Sequence, residues 1–290
     1  MGILIDSKSK VLVQGITGRL GRKQTKLMLE YGTDIVAGVT PGKGGESVQE
    51  IPVYDTVKEA LEHHDIEVST IYVPAPYVED AVNEAIEAGI KFGVVITDWV
   101  PYQDEMKIKK SAEESENFRY IGPNVPGITI PNEIALGMLS SPSVMTPGNV
   151  AIVSRSGSLT GEIAEELTEI GIGQSVVMGL GGDPIVGTRM VEAVKMLEED
   201  DETEVIVLVG EIGGSMEEEA SEFIREKGTK PVVGFLAGRT APRQKKMGHA
   251  GAIVRGSKGT LESKIKAFEN AGVEVAETIW EIPEKVERLL

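Results

Sequence analysis

The 290-residue chain has no cysteine, few aromatic residues and little positive charge. Without cysteine, disulfide bonds and thiolate-held metal ions are excluded. Lys and Arg number 29 against 46 Asp and Glu, a net charge of -17, which disfavours the basic surface that nucleic-acid binders need. No stretch approaches the ~18 apolar residues of a membrane span, and the first residues do not form a signal peptide. We therefore expect a cytoplasmic protein that binds neither nucleic acid nor membrane.

Glycine and aliphatic residues are abundant instead, with 34 glycines and 41% hydrophobic residues. Short aliphatic runs alternate with helical patterns along the chain, which is typical of repeated βαβ units and a mainly parallel sheet. The length suits two domains. The segment 122–148 is rich in Pro and Gly without a clear period, so it predicts the linker. We expect two open, doubly wound α/β domains, 1–124 and 125–290.

A glycine-rich loop, Gly15-Ile-Thr-Gly18-Arg-Leu-Gly21, follows the first predicted strand, Val11 to Gln14, and opens a helix. Glycines there permit a tight turn, and the helix N-terminus offers free N–H groups to an anion. Such a loop fits NAD, NADP, FAD, CoA or a purely structural turn.

The end of the second predicted strand narrows these alternatives. An NAD site has an acidic residue there that binds the ribose hydroxyls, but this chain has Val39-Thr-Pro-Gly-Lys43-Gly-Gly45. Lys43 would attract a phosphate on the ribose, which favours NADP or the 3′-phospho-ADP end of CoA, although a solvated turn lysine is the plain alternative. Thr97 and Asp98, after a later strand, would face the same crevice.

One of the three histidines is a candidate nucleophile. His249 lies in Met247-Gly-His-Ala-Gly-Ala252, where small neighbours leave the imidazole accessible, although a structural histidine would also fit. A carboxylate that holds one ring nitrogen would free the other to accept a phosphoryl group, and Glu211, after the strand Val205 to Val209, is the candidate. His63 and His64 lie at a polar helix end without spaced partners, so we predict no metal site.

A phosphate site is predicted at Ser154-Arg-Ser-Gly-Ser158, where a strand meets a helix N-terminus. The segment departs from the Gly-x-Ser-x-Gly pattern of a serine hydrolase, because Ser154 stands where the first glycine belongs. The chain also has no Gly-x-x-x-x-Gly-Lys-Ser/Thr loop and no kinase signature. If a nucleoside triphosphate phosphorylates His249, a partner subunit must bind that nucleotide.

Eight segments together resemble the α subunits of succinyl-CoA synthetases, in the family's order and over almost the whole chain. They are VQGITG, VAGVTPGKGG, IYVPAP, IGPN, VSRSGSLT, GLGGDPI, GEIGG and MGHAGAI. The resemblance implies an N-terminal Rossmann-like CoA-binding domain followed by a flavodoxin-like ligase domain. It also implies formation of an acyl-CoA from an acid, CoA and ATP or GTP, through an acyl phosphate and a phosphohistidine. The family's β subunit supplies the ATP-grasp site for the nucleotide and its Mg²⁺.

Residue roles follow from the same resemblance. His249 would carry the phosphoryl group, and Glu211 would orient it. Residues implied in CoA binding are Thr17, Gly18, Arg19, Leu20, Lys43, Ile96, Thr97 and Asp98. Residues implied in phosphate binding are Ser156, Gly157 and Ser158, and Gly161 stands at the position associated with the acid substrate.

The chain departs from the family's pattern at the CoA loop, Arg19-Leu20, and at Thr97-Asp98-Trp99, Pro123-Asn124-Val125 and Gly161. The family commonly has tyrosine at the position of Gly161, and losing that side chain opens space and removes a hydroxyl. Succinate is the expected acid, with malate or citrate as alternatives. A NADP-dependent oxidoreductase would explain the glycine loop but not the segments around Ser156 and His249. A CoA-binding module without catalysis would not need His249 and Glu211.

Overall fold

The computed structural model describes residues 4–115, 117–138, 144–238, 249, 251, 252 and 259–290. The described elements form two seven-stranded sheets. The strands of the first sheet are β1 Val11–Gln14, β2 Ile35–Val39, β3 Ser47–Val48, β4 Ile51–Tyr54, β5 Val68–Ile71, β6 Phe92–Val95 and β7 Arg119–Ile121. Its helices are α1 Arg19–Tyr31, α2 Val57–His63, α3 Val78–Ala88 and α4 Tyr102–Glu114.

The first sheet runs in the order β3-β4-β2-β1-β5-β6-β7. It is parallel except for β3, which pairs antiparallel with β4. The order reverses between β1 and β5, and in such sheets a ligand binds outside the carboxyl ends of the strands at this point. The glycine loop that follows β1 therefore lies at the edge where a ligand is expected.

The predicted strand Val11 to Gln14 coincides with β1. Helical spacing in the sequence also predicts helices around Val57 to His63 and about Val78 to Ala88, which coincide with α2 and α3. The sequence analysis did not predict the helix α4. Its buried residues are Glu105, Ile108 and Ala112, so the face that packs inward contains a carboxylate. This charged residue interrupts the apolar stripe by which a buried helix face is recognised.

The second sheet runs in the order β14-β13-β12-β10-β11-β8-β9. Its strands are β8 Gly127–Ile130, β9 Ile134–Gly137, β10 Pro147–Ser154, β11 Gln174–Gly179, β12 Val205–Glu211, β13 Val232–Ala237 and β14 Glu274–Ala276. Its helices are α5 Gly157–Glu169, α6 Met190–Glu198, α7 Met216–Lys227, α8 Leu261–Asn270 and α9 Ile282–Leu289. The strands β10 to β14 are parallel, and the fully buried strands β11 and β12 are typical of a sheet covered on both faces.

The composition of the segment 122–148 predicted an irregular linker, and this prediction was wrong. The segment contains the antiparallel hairpin β8–β9, which extends the second sheet by pairing β8 with β11. The hairpin also contacts the first half, where the Thr33 hydroxyl donates to the Ala135 carbonyl at 2.8 Å and the Tyr72 hydroxyl donates to the Gly137 carbonyl at 3.1 Å. Proline and glycine here mark turns within a sheet.

A hydrophobic cluster includes buried side chains from both sheets, among them Val13, Val94, Ile128 and Val153. The two sheets therefore share one hydrophobic core. In the described part of the chain, no helix has both the length and the hydropathy needed to span a membrane.

Candidate functional site

The glycine loop after β1 packs tightly against its helix. Gly18 precedes α1 and donates its N–H to the Gly15 carbonyl at 3.0 Å. A Cβ at Gly21 would lie 2.3 Å from that same carbonyl oxygen, so no larger residue fits. The Thr17 hydroxyl donates to Thr40 Oγ at 3.1 Å, which joins the ends of β1 and β2. Close approach of backbone to helix suits a bound pyrophosphate.

Two cations lie beside this loop. Lys43 is exposed and its Nζ lies 3.0 Å from Glu46 Oε1. Arg22, on α1, lies 4.0 Å from the other oxygen of the same carboxylate. Glu46 therefore holds Lys43 and Arg22 on one side of the crevice. Sequence reasoning missed Arg22 because the turn at 39–45 and the helix meet only in the fold.

The end of β6 presents a short polar segment to the same crevice. Ile96 is buried, Thr97 is half-buried, and Asp98 is exposed. The Thr97 hydroxyl donates to the Val73 carbonyl at 2.6 Å, which ties β6 to the end of β5. Trp99 follows with φ of 60° and 80% exposure. A large side chain in the left-handed region is unusual.

Among the predicted CoA-binding residues, Gly18 directly precedes α1, and Arg19 and Leu20 lie in its first turn; all three are exposed. Together with Thr17 they line the end of β1, while Lys43 follows β2 and Thr97 follows β6. All of these residues lie at the carboxyl edge of the first sheet. Parallel strands bring the segments together across 80 residues of sequence, as the doubly wound prediction requires.

His249 and Glu211 are in direct contact. The Nδ1 atom of His249 lies 2.8 Å from Glu211 Oε2, and the imidazole is partly exposed, with 26% of its side chain accessible. Glu211 ends β12 and is buried. The hydrogen bond to Glu211 raises the pKa of His249 above its ordinary value, although burial and the charge of Arg155 oppose this. With the proton on Nδ1, Nε2 is the free nitrogen.

Arg155 holds the other side of the Glu211 carboxylate. Its Nη2 lies 3.0 Å from Glu211 Oε1, and its Nη1 lies 2.9 Å from Glu217 Oε1. Arg155 is 2% exposed, and its Nη1 also donates to the Gly213 carbonyl. A buried guanidinium of this kind holds the two carboxylates in a fixed orientation.

The network continues to α8. Lys264 is fully buried and contacts Glu217 Oε2, while its Nζ lies 2.8 Å from Glu218 Oε2. Burial disfavours the charged form of Glu217, yet the charges of Arg155 and Lys264 hold its pKa below the ordinary value. The chain of contacts therefore runs from Lys264 through Glu217, Arg155 and Glu211 to His249. Sequence spacing carried no signal for Arg155 or Lys264, because their partners lie more than 45 residues away.

The predicted phosphate segment begins where β10 ends. Ser156 precedes α5, and no side chain caps the helix N-terminus. The Ser154 hydroxyl donates to the Ser156 carbonyl at 2.9 Å, and the hydroxyls of Ser156 and Ser158 lie 3.4 Å apart. Gly157 and Ser158 thus open a helix with unpaired backbone donors, the usual setting for an anion. Arg155, directly before Ser156, links this segment to Glu211 and His249.

A wall of small residues lies against His249. A Cβ at Gly182 would lie 2.3 Å from His249 Cγ, so glycine is needed for the ring to pack here. Gly251 donates its N–H to the Gly182 carbonyl at 3.0 Å. Gly182 belongs to the segment GLGGDPI, residues 179–185, which is one of the eight family-like segments.

Gly161 lies on the wall of a cavity of about 280 Å³ beside α5. A Cβ at Gly161 would meet nothing within 4 Å, so this position is open. The cavity is also lined by Gly157 and Ser158 of the phosphate segment. Open space, also lined by Glu162 and Glu165, therefore lies next to the predicted phosphate site.

The other two histidines have structural contacts. His63 stacks on Tyr54 with ring centroids 5.4 Å apart, and His64 Nε2 lies 2.9 Å from the Tyr54 hydroxyl. In the described residues, no group of three or more His, Asp and Glu side chains is placed to hold a metal ion. The basic stretch 239–246 and most of the segment around His249 lie outside the described residues.

Two family models match the chain. The family described as CoA binding domain matches residues 6–99, and the family described as CoA-ligase matches residues 153–274. These matches, with the two observed sheets, confirm the predicted order of a Rossmann-like CoA-binding domain and a flavodoxin-like domain.

Curated relatives match over their full or nearly full length. "Succinate--CoA ligase [ADP-forming] subunit alpha 2" of Archaeoglobus fulgidus is 54% identical over 290 residues, covering 100% of both chains. The subunit alpha of the same ligase from Staphylococcus aureus is 49% identical over 282 residues, covering 97% of this chain and 93% of the relative. The resemblance stated from the sequence motifs is confirmed.

Solved structures share the fold at lower identity. ATP citrate lyase from Methanothrix soehngenii, in complex with citrate and coenzyme A, matches with a TM-score of 0.87 and 23% identity over 98% of this chain. A dinucleotide-forming acetyl-coenzyme A synthetase of Ca. Korarchaeum cryptofilum matches with a TM-score of 0.76 and 22% identity over 93% of this chain. The chain spans 51% and 58% of those two proteins.

Proposed function

The chain belongs to the family of succinate–CoA ligase (ADP-forming) alpha subunits, and from that premise we propose that it forms succinyl-CoA through a phosphoryl group carried on His249. The observation that carries the proposal is the 2.8 Å contact between His249 Nδ1 and Glu211 Oε2. It leaves Nε2 as the nucleophilic nitrogen on a partly exposed ring.

The first step transfers a phosphoryl group to His249. Nε2 attacks the γ-phosphorus of ATP, the bond to the β-phosphate oxygen breaks, and ADP leaves. Glu211 keeps the proton on Nδ1 and stabilises the positive charge that develops on the ring. Arg155, 3.0 Å from the other oxygen of Glu211, holds that carboxylate in place for this purpose. The uncapped N-terminus of α5, at Ser156 to Ser158, would hold the phosphoryl oxygens.

The next two steps make the thioester. A succinate carboxylate oxygen attacks phosphorus, the P–N bond breaks, and His249 returns to the neutral imidazole with succinyl phosphate formed. The CoA thiolate then attacks the acyl carbon and expels inorganic phosphate. We propose that Thr17 to Leu20, Lys43 and Ile96 to Asp98 bind CoA, with Arg22 as an additional cation for the phosphates.

A beta subunit would bind the nucleotide and its Mg²⁺. The relatives are named alpha subunits of an ADP-forming ligase, which supports both a partner and ATP as the phosphoryl donor. The N-terminal part, 1–124, would then bind CoA and the part 125–290 would carry the phosphohistidine. The open position at Gly161 keeps a larger acid, such as malate or citrate, as the second candidate substrate.

The decisive experiment is phosphorylation of the α–β complex with γ-labelled ATP. We expect an acid-labile, base-stable label that is absent in His249→Asn and present in the control His64→Asn. Succinate with CoA should discharge the label and release inorganic phosphate. Label that only malate or citrate discharges would keep the mechanism and change the substrate. A wild-type complex without label would overturn the phosphohistidine proposal.

A further inference from the structure

The segment Gly122-Pro123-Asn124, part of the family-like segment IGPN, has no role in the mechanism proposed above. It directly follows β7, the strand at one end of the first sheet. A Cβ at Gly122 would lie 2.3 Å from the Val95 carbonyl oxygen, so the segment packs on the end of β6. Since the predicted CoA-binding residues 96–98 begin at that end, the contacts of the segment bear on the site.

Asn124 is hydrogen-bonded through its backbone to both parts of the site. Its N–H donates to the Thr97 carbonyl at 3.0 Å, and Thr97 is one of the proposed CoA-binding residues. Its carbonyl accepts the N–H of Gly182 at 3.3 Å, and Gly182 is the glycine that packs against the His249 ring. A single residue therefore separates the CoA-binding segment from the residue that contacts the imidazole.

The side chain of Asn124 makes a third contact, to Asp183. Asn124 Nδ2 donates to Asp183 Oδ1 at 3.0 Å, and Asp183 is only 3% exposed. Burial of a carboxyl group is costly unless hydrogen bonds satisfy it, so this donor holds Asp183 in place. Because Asp183 directly follows Gly182, the amide holds the loop beside His249 by a second bond.

The backbone conformation explains why asparagine suits this position. The φ of Asn124 is 58°, in the left-handed region that glycine, asparagine and aspartate adopt most readily. Glycine would keep the conformation and both backbone bonds but lose the bond to Asp183. Aspartate would also keep the conformation, but it has no N–H to donate. Asparagine alone of the three supplies both the conformation and the side-chain N–H.

Each part of the site is also held by contacts that do not involve Asn124. The Thr97 hydroxyl donates to the Val73 carbonyl at 2.6 Å, and Glu211 Oε2 lies 2.8 Å from His249 Nδ1. Loss of the Asn124 side chain should therefore leave CoA binding and the phosphorylation of His249 intact. What it should change is the position of the two parts relative to each other.

We propose that Asn124 is a positioning residue that, through Asp183 and Gly182, sets the position of the His249 ring relative to CoA bound at Thr97. The proposal rests on the proposed function of His249. The last step depends on this distance: the CoA thiolate attacks the acyl carbon of succinyl phosphate, the C–O bond to phosphate breaks, and inorganic phosphate leaves. Misplacement of reacting groups by about 1 Å can slow such a step by roughly 10²-fold.

Rapid-quench kinetics of the α–β complex separate the steps. Asn124→Gly is compared with wild type for the labelling of His249 by γ-labelled ATP and for the release of labelled phosphate after succinate and CoA are added. We expect labelling within about twofold of wild type, an unchanged Kd for CoA, and phosphate release slower by about tenfold or more. Asn124→Asp, which also lacks the N–H donor, is a second variant with the same expected direction.

Asn132→Gly is the matched control. Asn132 also has a positive φ, of 63°, but it is exposed in the turn between β8 and β9. The control makes the same substitution in the same backbone conformation, so it should label His249 and release phosphate as wild type does. Its melting temperature shows how much the change from asparagine to glycine costs by itself.

A double-mutant cycle tests whether Asn124 acts through Asp183. The rate of phosphate release, divided by the rate of labelling, is measured for Asn124→Gly, Asp183→Ala and the double variant. If the two side chains act through their shared hydrogen bond, the double variant should be no slower than the slower single variant. Two independent effects would instead multiply.

The possible results separate the proposals. Labelling and phosphate release that fall by the same factor, together with a lower melting temperature, would mean a merely structural role and overturn the positioning role. Phosphate release in Asn124→Gly equal to that of wild type, with His249 labelled, would overturn the positioning role alone. Multiplied losses in the cycle would overturn the action through Asp183. A wild-type complex that forms no label on His249 would overturn the proposed function, and the positioning role with it.

Discussion

Arg155 Nη2 lies 3.0 Å from Glu211 Oε1, on the side of the carboxylate opposite to His249. The guanidinium is therefore not a ligand of the imidazole but the group that holds its partner. Because Arg155 also binds Glu217, which binds Lys264, the orientation of His249 depends on a buried network that reaches α8. The residues that orient His249 therefore also contribute to the stability of the fold.

Removing Arg155 should destabilise the protein strongly. In Arg155→Met, Glu211 and Glu217 remain buried without their common cation, and we expect a loss of about 3–5 kcal/mol in the free energy of unfolding. Urea denaturation at pH 7 measures this. The control Arg189→Met breaks an exposed pair with Glu219 and should cost no more than about 1 kcal/mol. Equal losses in the two variants would contradict the buried network.

Replacing Glu211 should affect both the rate and the pH dependence of phosphorylation. Glu211→Gln removes the carboxylate that fixes the tautomer of His249, and we expect the labelling rate to fall by about 10²-fold or more. Because that hydrogen bond raises the pKa of His249, the acid limb should also move to lower pH. Single-turnover labelling across pH measures both effects. An unchanged acid limb would mean that Glu211 does not raise the pKa of His249. Glu219→Gln is the surface control.

Lys43 should distinguish CoA from dephospho-CoA. If its ammonium binds the 3′-phosphate, Lys43→Met should weaken CoA binding by about tenfold and leave dephospho-CoA binding unchanged. Glu46→Gln, which frees Lys43 and Arg22 from their shared carboxylate, should strengthen CoA binding. Calorimetric titration of the complex measures the affinities, with Lys26→Met as the exposed control. An equal loss of affinity for CoA and dephospho-CoA would mean that Lys43 does not bind the 3′-phosphate.

Gly161 offers a stability test and a specificity test. A Cβ there meets nothing within 4 Å, so Gly161→Ala should stabilise α5 by about 1 kcal/mol and raise the melting temperature by roughly 2–4 °C. The control Gly21→Ala should lower it, because its Cβ would clash with the Gly15 carbonyl.

A tyrosine at position 161 tests which acids the site accepts. Gly161→Tyr should fill part of the adjoining cavity and lower activity with larger acids more than activity with succinate. Steady-state kinetics with succinate, malate and citrate give the comparison. An equal effect on all three acids would remove Gly161 from the substrate site.

Most secondary structure followed from local patterns. The strand β1 was predicted to the residue and the helices α2 and α3 in their approximate limits, because short aliphatic runs and amphipathic spacing determine them locally. The hairpin β8–β9 and the helix α4 were missed. Proline and glycine in the hairpin resemble a linker, and Glu105 breaks the apolar face of α4. Each of these elements is stabilised by packing against distant strands.

The sequence by itself determined the family, the order of the two α/β halves and the pairing of His249 with Glu211, because these depend on short motifs and on strand ends that parallel sheets bring together. Only the tertiary structure revealed Arg155 and Lys264 behind Glu211, Arg22 and Lys43 on one shared carboxylate, and the burial of Glu105. These contacts join residues far apart in the chain. Their energies arise from burial and from charge, and neither leaves a periodic pattern in the sequence.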